Sequence, residues 1–294
     1  MMKNATPTRV LVLGSSGRIG TMLRGCWAVQ SDPATEFTFQ TRRADENHPA
    51  DFLWDVADAP PQVLIDAPTF DCMIVLSGVV PRPDADFTLN AAIGTASITA
   101  AARLGIGTVL LASTSAVYGT HSDAPFHEED TPHPLNDYGR SKLEMEATSR
   151  DCAQALGIKL CCLRIGNVAG ADVLLLNGAA LGPSGKLSLD CFTDGGTPVR
   201  SYIGPQTLAE VLISLIRARD DLPAVLNVAA PRPVSMLALT QAAEFPVTLT
   251  PAQTDRHQHV TLDCSALSAL HRFGPSASTP AGIVRQWQRI KPAA

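Results

Sequence analysis

Aromatic residues are scarce: Phe, Trp and Tyr make up 5% of the 294 residues, and three of them are tyrosines. So few rings give little platform for stacked bases. With 23 Lys and Arg against 28 Asp and Glu there is no basic excess either, so general nucleic-acid binding is not expected. Charge is sparse at 17% against 45% hydrophobic residues, which excludes a wholly disordered chain. The seven cysteines (Cys26, Cys72, Cys152, Cys161, Cys162, Cys191, Cys264) contain no C-x-x-C pair. Their odd, scattered set argues against zinc and against a secreted disulfide scaffold, and fits a reducing cytoplasm. The opening MMKNATPTR lacks the apolar centre of a secretion signal. The longest uncharged run, the 19 residues Leu104–Ser122, has membrane length but contains three glycines, His121 and several hydroxyls. It reads as a buried strand passing into a polar loop, and no membrane association is expected.

Up to residue 165 short apolar runs alternate with helical patterns, the mark of a parallel sheet covered by helices. Strands are expected at Arg9–Leu13, Glu36–Thr41, Asp71–Leu76, Thr108–Ser113 and Lys159–Ile165, with helices at Arg18–Gln30, Asp86–Leu104 and Tyr138–Leu156. Glycine and proline breaks follow. A helix at Thr207–Arg219 and a strand at Val225–Ala229 return to the first unit, and helices are expected at Ser235–Glu244 and Pro280–Ile290. The expected fold is a Rossmann-type, doubly wound α/β sheet. Residues 1–168 form its dinucleotide-binding core, and 169–294 complete it and add a small, mostly helical substrate cap.

Three patterns carry chemistry. The first strand runs into Gly14-Ser-Ser-Gly17-Arg18-Ile19-Gly20. Gly14 suits a tight turn, Gly17 a close backbone approach to a pyrophosphate, and Gly20 packing of helix on strand. The anion would sit at the helix N-terminus. A plain Gly-rich turn is the alternative, and the strand–turn–helix setting favours the nucleotide. In Tyr138-Gly-Arg-Ser-Lys142 the phenol and the amine fall at i and i+4 on one helix face. A neighbouring cation lowers a phenol pKa and suits a general acid/base, the alternative being an incidental surface pair. Thr114, at the C-terminal end of a strand, faces the ligand crevice of an open sheet and could bond the same substrate oxygen; ordinary Ser/Thr turn chemistry is the alternative. His121, His127 and His133 share one loop, but match no zinc spacing and sit beside Glu128, Glu129 and Asp130, so no metal is expected.

Together these segments resemble the extended short-chain dehydrogenases/reductases, in the NAD-dependent epimerase/dehydratase family. Further likenesses are Leu76-Ser77-Gly78, Asn90 within LNAAIGT, Leu163-Arg164-Ile165-Gly166-Asn167-Val168-Ala169-Gly170, Arg200-Ser201-Tyr202-Ile203, and Leu226-Asn227-Val228-Ala229. The resemblance implies a triad of Thr114, Tyr138 and Lys142. It places Leu76, Ser77 and Gly78 beside the cofactor, makes Asn90 structural, sets Asp55 and Val56 against adenine, and puts Asn167 and Arg200 at a nucleotide-sugar substrate. It also implies a homodimer through the helices at Asp86–Leu104 and Tyr138–Leu156, the first rich in small residues (Ala91, Ala92, Gly94, Ala96). The sequence departs from the family pattern at Ser201, which replaces an Asp, and at Pro205-Gln206-Thr207 and Ala169.

The expected function is NAD(P)-dependent hydride transfer at a hydroxyl or carbonyl carbon of a sugar-like or nucleotide-sugar substrate, with redox or epimerisation as outcome. Reduction of a small carbonyl compound with NADPH, or a non-catalytic dinucleotide sensor, are the alternatives. NADP is expected over NAD, because the second strand ends in Thr41-Arg42-Arg43 with no acid before Asp45; Arg42 would meet the 2′-phosphate, with Arg18 as partner. A 4,6-dehydratase is not expected: Ser115 and Ala116 follow Thr114, where such enzymes carry carboxylates.

Overall fold

The computed structural model describes residues 6–30, 32–43, 50–120, 122, 124–182 and 184–290. The chain opens with β1 (Thr8–Leu13), α1 (Arg18–Val29), β2 (Thr35–Thr41), β3 (Phe52–Leu53), α2 (Gln62–Ile65) and β4 (Cys72–Val75). Next come α3 (Leu89–Arg103), β5 (Thr108–Thr114), a 3₁₀ turn (Ser115–Val117), α4 (Asp137–Leu156) and β6 (Lys159–Ile165). Beyond lie β7 (Asn167–Val168), α5 (Val173–Ala179), β8 (Leu187–Cys191), β9 (Val199–Arg200), β10 (Tyr202–Ile203), α6 (Pro205–Arg217) and β11 (Val225–Val228). The last elements are β12 (Val234–Ser235), α7 (Met236–Ala242), β13 (Val247–Pro251), β14 (His259–Val260), α8 (Ser265–Leu270) and α9 (Pro280–Ile290).

Seven strands form one parallel sheet in the order β3-β2-β1-β4-β5-β6-β11. Its central strands read RVLVL, CMIV and TVLLA because both faces are covered, so apolar residues need not alternate with polar ones. Leu11, Leu13, Met73, Val75, Val109 and Leu111 join Ile98, Met145 and Ala153 of α3 and α4 in one core. The alternate residues Val10, Val12, Ile74 and Leu110 are equally buried toward the other face. Cys161 and Cys162 are buried on β6, as a strand-core reading requires. The strand order reverses between β1 and β4, and open sheets of this kind bind ligands outside the strand ends at such a point.

The described residues cluster into two compact units. The first takes in those up to Val117, with Pro134–Arg164 and Ile213–Leu226. The second takes in Tyr118–His133, Ile165–Leu212 and those from Asn227 onward. The second unit holds α5, α7, α8 and α9 together with small sheets pairing β7 with β10, β9 with β12 and β14, and β8 with β13. These sheets are the main addition to the helical cap expected from sequence, since five of their strands have two residues and so no periodicity to read. Among the described residues no helix is long and apolar enough to cross a membrane.

Candidate active site

The turn after β1 is shaped by glycine. Gly14 has φ +77°, and a Cβ there would lie 2.6 Å from the Ser77 nitrogen, so the turns leaving β1 and β4 touch at the strand-order reversal. A Cβ on Gly20 would meet the Gly14 carbonyl at 2.7 Å, which is the close helix–strand packing expected of it. Gly17 is the N-cap of α1, without a side-chain cap, and the first turn of the helix carries no acid. Its N–H groups and dipole are therefore available to an anion. Arg18 is exposed and Ile19 half-buried at the start of that helix. The residues present thus fit a pyrophosphate-bearing dinucleotide.

Sequence reasoning missed the residue that holds this turn. Gln40, on β2, is 2% exposed. Its Oε1 accepts from the Gly14 N–H (2.9 Å), its carbonyl accepts from the Ser15 N–H and hydroxyl (3.1 and 2.9 Å), and its Nε2 donates to the Trp54 carbonyl. One side chain therefore ties the glycine turn to the segment leading into Asp55 and Val56. The signal available in the sequence was an amide between Phe39 and Thr41 at the end of the strand, where an unpaired buried polar group is costly.

Asn90 performs a second tie. Its Oδ1 accepts from the Val79 N–H (2.8 Å), while its Nδ2 donates to the Val79 carbonyl (3.1 Å) and to Ser141 Oγ (3.0 Å). Ser141 in turn donates to the Tyr138 carbonyl (2.9 Å). The Leu76-Ser77-Gly78 segment and the Tyr138 helix are thereby joined through a fully buried amide.

Thr114, Tyr138 and Lys142 come together at the end of β5 and the first turns of α4. Asn136 caps α4 by accepting from the Gly139 N–H (2.8 Å). A Cβ on Gly139 would lie 2.6 Å from the Ala116 carbonyl, so glycine there lets the helix start against the 3₁₀ turn. The Thr114 hydroxyl lies beside the Tyr138 phenol and favours its phenolate. The expected lowering of the Tyr138 pKa by Lys142 is not found. Lys142 Nζ donates instead to the Ala112 carbonyl (2.6 Å) and toward Met145 Sδ (3.3 Å). Burial pushes the Tyr138 phenol above its ordinary value, with Thr114 opposing the rise. Lys142 is itself brought down to about 8 by burial, against the pull of Glu146 and Cys162.

The remaining sequence candidates are placed as follows. Arg42 is exposed, and its Nε lies 4.0 Å from Asp55 Oδ2, so two residues assigned to the cofactor pair with each other; Val56 is buried. In the second unit, Arg200 donates to the carbonyls of Val199 (2.8 Å), Gln258 (2.8 Å) and His257 (3.1 Å), and burial lowers its pKa. Asn167, half-buried, pairs with Tyr202 across β7 and β10. An open pocket of about 590 Å³ in that unit is lined by Cys191, Phe192, Leu249, Pro251 and Arg256 among others, and neither Asn167 nor Arg200 lines it. His121 and Asp45 lie outside the described residues. Among the described residues no group of three His, Cys, Asp or Glu is placed to hold a metal.

The family model described as NAD dependent epimerase/dehydratase matches residues 10–229. The chain belongs to that family. A UDP-glucose 4-epimerase of Azospirillum brasilense is 30% identical over 246 residues, 74% of this chain and 71% of that one. Among solved structures, a UDP-glucose 4-epimerase from Brucella ovis in complex with NAD superposes with a TM-score of 0.78 at 21% identity, covering 96% of this chain and 97% of that one. An NAD-dependent NDP-hexosamine 5,6-dehydratase, TunA, gives 0.75 at 18%, covering 96% and 98%.

Asn227, in the Leu226–Ala229 segment that resembles the family, is held by several partners in the second unit. The Tyr118 hydroxyl donates to Asn227 Oδ1 (2.8 Å), and Asn227 Nδ2 donates to the carbonyls of Phe126 (2.9 Å) and Asp263 (3.0 Å). Ser201, which stands where the family has Asp, is buried and accepts from the Leu262 N–H (2.9 Å).

Proposed function

We propose that the chain is an NAD(P)-dependent epimerase acting at a hydroxyl-bearing carbon of a nucleotide sugar. The observation that carries this reading is the placement of the Thr114 hydroxyl beside the Tyr138 phenol at the mouth of β5, one helical turn from Lys142. The bound nicotinamide would supply the hydride acceptor, held at Gly14, Gly17, Gly20, Asp55, Val56 and the Leu76–Gly78 segment. Tyr138 takes the proton from the substrate hydroxyl and returns it, a general acid–base role. Thr114 orients that oxygen. Lys142 places its ammonium at the Ala112 carbonyl near the end of β5. Asn167 and Arg200 are proposed to contact the substrate. The 30% identical relative named a UDP-glucose 4-epimerase supports epimerisation and a UDP-sugar as the outcome and substrate.

The test is to incubate the protein with NAD and UDP-galactose and follow UDP-glucose by chromatography and mass spectrometry. Interconversion without loss of water is expected, because Ser115 and Ala116 offer no carboxylate to expel a hydroxyl. A 4-keto-6-deoxy product from UDP-glucose would overturn the exclusion of 4,6-dehydration, and no reaction at all would overturn the substrate. We also read NADP as preferred over NAD. The side chain of Gln40 is turned inward, and exposed Arg42 and Arg43 directly follow β2, Arg42 lying 4.0 Å from Asp55. Calorimetry decides it: tighter or equal binding of NAD refutes the preference. A homodimer through the outer faces of α3 and α4 completes the reading. Ala92 is exposed there, whereas Gly94, Ala100 and Ala101 are buried within the chain.

A further inference from the structure

Behind the Thr114–Tyr138 pair lies a buried charge cluster that the proposed chemistry does not use. The side chains of Glu146 and Arg164 are 1% and 5% exposed. Arg164 Nη2 donates to Glu146 Oε2 at 2.8 Å, and its Nε reaches Oε1 and Oε2 at 3.2 and 3.3 Å. The Ser113 hydroxyl donates to Glu146 Oε1. The carboxylate is thus fixed from β5 and β6 at once. Buried ion pairs of this kind often add no more stability than apolar side chains of the same volume, so stability alone does not account for the arrangement.

Glu146 stands one helical turn beyond Lys142, on the face that carries Tyr138, Lys142 and Glu146 at successive i+4 steps. The groups facing the buried Lys142 ammonium can be enumerated by element. On α4 they are Met145 and Glu146, and on β6 Cys162, on which Arg164 and, from α4, Arg150 act in turn. β5 brings the Ala112 carbonyl and Ser113. The segment after β4 brings Gly78, whose absent Cβ would lie 3.6 Å from Nζ, and α3 brings the uncharged Asn90. Of these groups Glu146 is the carboxylate, and burial pushes the Cys162 thiol up to about 12.

We propose that Glu146 is a positioning residue for Lys142: clamped by Ser113 and Arg164, it holds the lysine in its charged form at the end of β5. The pKa directions agree with this geometry, burial driving Lys142 down to about 8 while Glu146 opposes the fall. Lysine with a folded value below 10.5 loses its proton on the alkaline side of neutrality. Removing the carboxylate carries that loss to lower pH, because burial, the largest influence on Lys142, then loses the first of the groups that oppose it. The inference deepens the reading of Lys142 as part of the triad, and its test does not depend on turnover.

The chain has five lysines, Lys3, Lys142, Lys159, Lys186 and Lys291, so protein grown on lysine labelled with ¹³C at Cε gives a spectrum in which Lys142 is assigned by its loss in Lys142→Met. In the wild type the Lys142 resonance is expected to titrate near 8. In Glu146→Gln the midpoint should fall by about 1 unit or more, and Glu146→Asp, which keeps the charge, should recover most of the difference. If Glu146→Gln alone does not fold, Glu146→Gln with Arg164→Met leaves no orphaned guanidinium and the midpoint should still fall. An unmoved or raised midpoint in the folded variant overturns the proposal, as does a wild-type midpoint at or above the ordinary lysine value. A shifted midpoint in a protein that does not epimerise UDP-galactose upholds the coupling and removes the substrate reading instead.

Discussion

At the scale of single residues, the candidate site rests on groups whose neighbours change their chemistry. Tyr138 was expected to be acidified by Lys142, yet the nearer influences are burial, which disfavours phenolate, and the Thr114 hydroxyl, which favours it. A phenol held protonated is suited to donate to a developing alkoxide, and the phenolate it becomes can accept from the Thr114 hydroxyl. Tyr138→Phe removes that hydroxyl and little else, because the ring keeps its tilted contact with Phe87 at 5.8 Å. Turnover is expected to fall by ~10²–10⁴ with cofactor affinity nearly unchanged, checked by steady-state kinetics and calorimetry on the same preparation. A loss below about tenfold would show that the proton takes another route.

At the scale of elements, side chains from one strand or helix hold the turn of another. Gln40 on β2 fixes the turn after β1, and Asn90 on α3 fixes the segment after β4. Gln40→Leu should leave the Gly14 N–H and the Trp54 carbonyl without their partners, at about 1–3 kcal/mol for each group that water cannot reach. The expected result is a lower melting temperature together with weaker NAD binding, by thermal scan and calorimetry; an unchanged dissociation constant would show that the turn holds its shape without the glutamine. Much of this framework was legible beforehand. The β6 and α9 limits agree with the sequence reading to the residue, and β5 runs one residue further, to Thr114. These segments are long, apolar and bounded by Gly or Pro, so periodicity marks them. The two-residue strands β7, β9, β10, β12 and β14 and the short helix α5 carry no such pattern. Gln40, Glu146 and Arg164 were illegible as site residues for another reason. A polar side chain in a strand or helix looks solvated until the fold shows that it is buried and paired.

At the scale of the whole molecule, the proposed dimer is the first assertion to check. Light scattering at micromolar concentration should return twice the 31.1 kDa chain mass, and the chain mass itself would refute it. Small residues on α3 serve two purposes: Gly94 faces Ser149 and Met145 of α4 inside the chain, while Ala92 points to solvent. The internal contact persists in a monomer, so dissociation need not unfold the protein. The architecture also separates what must be invariant from what is free to vary. Asn90 grips Val79 by both its N–H and its carbonyl, much as a neighbouring strand would. The stretch from Val80 to Thr88 is therefore bracketed by two anchored ends, and its exposed residues Val80, Arg82, Pro83 and Asp84 hang between them. Insertions or deletions between Val80 and Asp84 would change the shape presented to a ligand while Asn90, and Phe87 packed on the Tyr138 ring, hold the ends, which makes that tip the interchangeable fitting on a fixed frame.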